Sequence, residues 1–215
     1  MSCSKQTPGK TQKSKNGCCG KSPQTGSGTK SLSELMSEWK SEYRSRLYEL
    51  LDGYRTSAFP DALKAASHGE YPPNGEKAGK RHPHQWRIPK AAINQWSKQL
   101  TKAQARIRSF RGQPFECLFG FLDEQARSIS GIGPLMVYDT ALRIGANIGC
   151  FPKDCVYLHA HARIPDIRSG VPHIGRSELS KDLKALKALK AWEAYEIEDF
   201  LCIYHDQVKN LMPGS

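Results

Sequence analysis

The chain has 215 residues, 38% of them hydrophobic, which suffices for one solid core, and no apolar run approaches the roughly 20 residues a membrane-spanning helix needs. Seven cysteines, odd in number and without a CxxC pair, argue against a secreted disulfide scaffold; with no apolar signal segment near residue 1, the expectation is a soluble, non-secreted protein of a reducing cytoplasm, nucleoid or nucleus. The net charge of +11 is segregated, since residues 1–30 carry six Lys and no acid, residues 77–111 carry ten Lys or Arg and no acid, and the rest is slightly acidic. Segregated positive charge sets up a field that captures polyanions, and nucleic acid is the expected partner class rather than a membrane.

Residues 1–30 are almost wholly Ser, Thr, Lys, Gly, Pro and Gln, too poor in apolar surface to offset the entropy of ordering, and read as a disordered basic tail. Order is expected from Ser31, where Ser31-Leu32-Ser33-Glu34 has the capping-box pattern. Leu35, Trp39, Tyr43, Leu47, Leu50, Leu51 and Tyr54 then recur at threes and fours and predict one helix of about six turns. A break near Phe59-Pro60, a short helix through Ala66 and a Pro- and Gly-rich loop from His68 to Pro89 follow. That loop holds Lys80, Arg81, Trp86 and Arg87, a mixture of charge and aromatic ring suited to backbone contact and stacking.

From Pro89 the period is helical again. Ile93, Trp96, Leu100, Ala103 and Ile107 form an apolar stripe, while Lys98, Lys102 and Arg106 lie off it and point outward. Further helices are predicted for Phe115 to Ile129, Pro134 to about Ala146, Ser177 to about Trp192, and a last one carrying Ile197, Phe200, Leu201, Tyr204, Val208 and Leu211 on one face. Val156-Tyr157-Leu158 is the one stretch that reads as extended. The expected fold class is all-α: a mainly helical domain over 31–215, with 77–111 its basic loop and helix.

Between two of those helices stands Ala126-Arg127-Ser128-Ile129-Ser130-Gly131-Ile132-Gly133-Pro134-Leu135-Met136-Val137. Two glycines allow unusual backbone angles and leave no side chain to block an approaching phosphate; Pro134 at the first helical position and the amides of the following turn favour an anion. The stretch resembles the helix-hairpin-helix DNA-binding motif, apolar-x-Gly-apolar-Gly between helices, here over 115–146. The resemblance implies that Ile132 plugs the gap between the helices and that the amides of Gly131 and Gly133 cradle one phosphate of duplex DNA without reading a base. Val137 stands where the motif has a small residue, and Asp139 is expected to pair with Arg143 at i,i+4.

In plan the chain also resembles the helix-hairpin-helix base-excision glycosylases, which follow the hairpin with an extended segment holding a catalytic Asp. The corresponding stretch is Phe151 to His159, in which Asp154 precedes the apolar Val156-Tyr157-Leu158 instead of ending it. Catalytic residues therefore stay unassigned, with Asp154 and His159 as the candidates of a repair-enzyme alternative. Cys150, Cys155, His159 and His161 are crowded on one segment without a partner pair, so neither metal nor cofactor is expected, and Cys150 and Cys155 read as small hydrophobic residues. A second alternative is a protein-interaction module that recruits partners through Glu193, Glu196, Glu198 and Asp199.

Overall fold

The structure, a computed structural model, describes residues 30–158, 173–175, 189 and 191–211. The tail at 1–29, His159, His161 and nearly all of the helix expected over 177–192 lie outside the described residues. What is described is mostly helical.

Ser31 caps α1 (Leu32–Glu42) with the reciprocal box expected of it: its hydroxyl accepts from the Glu34 amide, and the Glu34 carboxylate accepts from the Ser31 amide at 2.7 Å. The single six-turn helix is corrected to two, because Tyr43 (φ −113°, ψ −33°) breaks the run and α2 (Arg44–Thr56) starts after it. The break lets one continuous apolar period serve two partners. Leu35 and Trp39 pack toward the C-terminal helix, whereas Leu47, Leu51 and Tyr54 belong to the helix that packs on α7.

The short helix α3 (Phe59–His68) has Pro60 in its first turn and ends at Gly69 in the left-handed region (φ +65°). Two isolated bridges, Glu70 with Arg81 and Tyr71 with Ala78, and a 3-10 turn at Pro83–Gln85 give the Pro-rich loop a defined course. α4 (Lys90–Lys102) buries Ala92, Ile93, Trp96, Ser97 and Leu100; a kink at Ala103 separates it from α5 (Gln104–Arg108), a second correction to a helix expected to be continuous. α6 (Phe115–Ala126) is shorter than expected by one turn.

α7 (Pro134–Ile148) is the central element, with eleven of its fifteen residues buried against α2, α3 and α6. The chain leaves it through Gly149 (φ +73°) and turns back so tightly that the Cys150 amide donates to the Gly145 carbonyl at 2.8 Å. β1 (Cys155–Tyr157) then pairs antiparallel with β2 (His173–Gly175), Val156 opposite Ile174. The extended stretch expected at Val156-Tyr157-Leu158 is thus a strand that lies one residue earlier, and strict all-α gives way to mainly helical with one short strand pair among the described residues. α8 (Ala194–Asn210), kinked at Tyr204, packs on β1 and α1. Trp192 stacks on Trp39 with ring centroids 4.6 Å apart, and Asp199 accepts the Trp39 indole N–H at 2.9 Å. One buried apolar cluster runs through all these helices and β1. Among the described residues no helix is long and apolar enough to cross a membrane.

Candidate nucleic-acid interface

α6 ends at Arg127, and a turn over 128–133 feeds α7. Gly131 adopts φ +95°, which L side chains rarely adopt, and a β-carbon built on it would lie 3.4 Å from both Pro89 Cδ and Ala92 Cβ. Gly133 is different. Its backbone is extended (φ −102°, ψ 174°), open to any residue, and a β-carbon there would meet nothing within 4 Å. The Ile132 amide donates to the Ile129 carbonyl at 3.2 Å, while among the described residues the amides of Gly131 and Gly133 meet no backbone acceptor. Ile132 is half-buried against the core and Val137 fully buried, so the turn is pinned from inside.

The contact of Gly131 with Pro89 and Ala92 brings two helix N-termini together, those of α4 and α7. Neither is capped by a side chain, and neither has an acidic residue in its first turn. Unpaired amides and the positive ends of two helix dipoles thus converge beside one exposed turn. Along α4, Lys90, Asn94, Lys98 and Lys102 follow one another at four-residue spacing on the exposed side. They form a stripe about 18 Å long that starts at the hairpin and drifts about 40° per step. Arg106 on α5 extends the exposed positive surface, its guanidinium over the Phe110 ring at 4.9 Å from the centroid.

The basic loop is fixed to the same assembly. Arg81 is half-buried, and its Nη1 donates to the carbonyls of Ile88 at 3.2 Å and Gln85 at 3.5 Å, which ties the loop to itself. Trp86 is 68% exposed and does not anchor the loop in the core; its indole N–H donates to the Arg81 carbonyl at 3.0 Å, which sets the ring's attitude. Lys80 and Arg87 are exposed beside it. Gln85, fully buried, donates to Asp139 Oδ2 at 2.5 Å and ties the loop to α7.

Asp139 also accepts from Arg143 Nη2 at 3.2 Å, the i,i+4 pair expected from the sequence, with the guanidinium buried. Burial alone pushes the Asp139 carboxyl up; the Arg143 guanidinium, the nearby His84 and His82 rings and the Gln85 hydrogen bond outweigh it and hold the carboxyl below its ordinary range. His82 is driven the other way, down to about 3, chiefly by desolvation and then by Arg143. The tie from the loop to this pair has no local signal in the sequence, because Gln85 and Asp139 lie 54 residues apart.

Asp154 is exposed at the bend before β1, apart from this network, and β1 itself begins one residue later. Cys150 is buried, its thiol donating to the Gln113 carbonyl at 3.3 Å and pushed up to about 11 by burial. Of the four acids at the start of the last helix, Glu196 is 2% and Glu198 7% exposed, Asp199 is half-buried and Glu193 is exposed. Glu196 accepts from Arg44 at 2.8 Å and from the Tyr48 hydroxyl at 3.0 Å, two bonds that tie α8 to α2. No protein-family model, curated protein or solved structure matches the chain.

Proposed function

We propose that this protein binds nucleic acid, duplex DNA foremost, through the sugar-phosphate backbone and without base readout. The observation that carries the proposal is the junction of Gly131 with Pro89 and Ala92. It puts two uncapped helix N-termini, two amides without backbone acceptors and the start of an acid-free basic stripe at one exposed place. A phosphate seated at Gly131–Gly133 accepts from those amides. The following phosphates of the same strand then run along Lys90, Lys98 and Lys102, and Arg106 adds charge beyond them. Lys80, Arg87 and the face of Trp86 flank the site from the loop.

Phosphate contacts release counterions, so log affinity falls linearly with log salt, by about 0.9 for each phosphate neutralised on duplex DNA. Fluorescence anisotropy on random duplex, single-stranded DNA and duplex RNA at several salt concentrations is expected to show that fall, with duplex DNA bound most tightly. Absent or salt-independent binding rejects the proposal.

Two variants separate hairpin from charge. Gly133→Val keeps an allowed backbone and fills open space, so it folds; its side chain occludes the phosphate seat, and affinity drops about tenfold or more with the salt slope nearly kept. Reversal of Lys98, Lys102 and Arg106 to Glu removes three contacts and flattens the slope by about 2.7. A Gly133→Val protein that binds like the parent reduces the hairpin to a structural turn.

A further inference from the structure

Trp86 is the most exposed large hydrophobic side chain among the described residues. A single exposed indole is ordinary on a protein surface; this one is set apart by how firmly it is mounted. Its Nε1–H donates to the Arg81 carbonyl, and its amide donates to the Pro83 carbonyl at 3.3 Å. The loop beneath is held on two sides, by the His82 amide on the Gly69 carbonyl at 2.7 Å and by the Gln85 side chain on Asp139 of α7. The ring is thus presented in one attitude without being used by the core, and a group that stacks on it costs the protein little ordering.

Its position in the fold indicates what that group is. Pro89, three residues on, is the residue that meets Gly131, and the Ile88 amide folds back to the Gln85 carbonyl at 3.2 Å. The Trp86 backbone therefore lies within about 11 Å of the hairpin's neighbour. The loop stands at the N-terminal end of α4, and the stripe of Lys90, Lys98 and Lys102 runs away from that end. Lys80 is exposed and directly precedes Arg81, whose carbonyl holds the indole, so it adds charge beside the ring; residues 77–111 contain no acid. An aromatic face among cations, continuous with a phosphate seat, suits a nucleotide, with the ring taking the base and the charges the phosphates on either side.

Inside a paired duplex both faces of a base are covered by its neighbours, and freeing one costs unpairing and unstacking. A base already unpaired offers its face without that cost. We infer that Trp86 is the stacking platform for the first unpaired base of a strand leaving the duplex, and that the preferred substrate is a junction of duplex and single-stranded DNA. The duplex lies along the hairpin and α4, and the single strand continues over the loop. Every base has such a face, so the contact favours the junction without favouring a sequence. The site presupposes the backbone binding proposed above, which brings the duplex to the loop.

Fluorescence anisotropy of the full chain on three labelled duplexes of one sequence tests it: blunt, with a short adenine overhang, and with an abasic overhang of the same length, which keeps the phosphates and removes the base faces. The parent is expected to bind the adenine overhang about tenfold or more tighter than the abasic one. In Trp86→Ala, a change at a mostly exposed side chain that leaves the core intact, that ratio is expected to fall to about one, and in Trp86→Phe, which keeps a ring, to recover in part. A parent ratio near one, or a ratio that survives Trp86→Ala, overturns the stacking site; salt-dependent binding of the blunt duplex in that case leaves the backbone reading standing. Failure of all three duplexes to bind overturns both.

Discussion

Gly145→Ala is expected to destabilise the protein by about 3 kcal/mol or more, enough to remove much of the stability of a domain this size. A β-carbon on Gly145 would lie 2.1 Å from the Cys150 carbonyl oxygen, well inside any tolerable contact, with Phe115 Cε2 at 3.6 Å behind it. The obstacle is backbone, and it cannot swing aside like a flexible side chain. Relief requires the turn at Gly149 and Cys150 to move off α7, which breaks the Cys150 amide bond to the Gly145 carbonyl and the thiol bond to Gln113. β1 is attached directly downstream. Gly149→Ala is the control: its φ of +73° is strained for alanine, but the space is open, so about 1 kcal/mol is lost. Urea melts of the two variants check the contrast, and equal midpoints would refute the close approach at Gly145.

Acidification is the second large effect. His82 titrates at about 3 in the folded protein against 6.5 as its ordinary value, because the ring is desolvated and faces Arg143, His84 and Lys77, with only Asp139 pulling the other way. The unfolded chain therefore takes up a proton below about pH 6.5 that the native protein refuses until about pH 3. Stability contributed by neutral His82 is complete above pH 6.5 and is lost progressively as pH falls to 3, up to about 5 kcal/mol in all and about 2 to 3 kcal/mol by pH 4.5. Asp139, whose folded carboxyl lies below its ordinary 3.8, adds acid sensitivity only beneath that value. Denaturant melts from pH 7 to 4.5 on the parent and on His82→Gln are expected to converge as pH falls, since the variant lacks the refused proton. Parallel curves would show that His82 is not held neutral by the fold.

The sequence signals that survive into the structure are those whose cause is local. The capping box at Ser31 and Glu34, Pro134 opening α7, the Asp139–Arg143 pair and the inward stripe of α4 each depend on residues within one or two turns of each other. Two helix breaks escape such reading, because Tyr43 and Ala103 are neither Gly nor Pro and the apolar period runs straight through both. What turns the chain at Tyr43 is distant: Trp39 is held by Trp192 and Asp199, while the Tyr54 carbonyl accepts from Asn147 at 2.8 Å and pulls α2 toward α7. The turn between α6 and α7 was legible because Gly131, Gly133 and Pro134 lie within four residues of one another. The tie between Gln85 and the Asp139–Arg143 pair was not, since the loop and α7 meet only after the core has formed. Arg81 shows the same limit from the other side: the basic run gives no sign that its guanidinium also donates to the Gln85 and Ile88 carbonyls.

The attitude of Trp86 has an optical corollary. Of the four tryptophans, Trp39 and Trp96 have no exposed surface, Trp192 has 6%, and Trp86 has 68%. Emission at long wavelength, and nearly all quenching by an aqueous solute such as iodide, therefore belongs to the one indole that stands in the basic loop between Lys80 and Arg87. A polyanion settling on that loop shields the ring from iodide by charge and by contact, so occupancy is readable from the native protein's own light, with the three buried indoles as an internal reference.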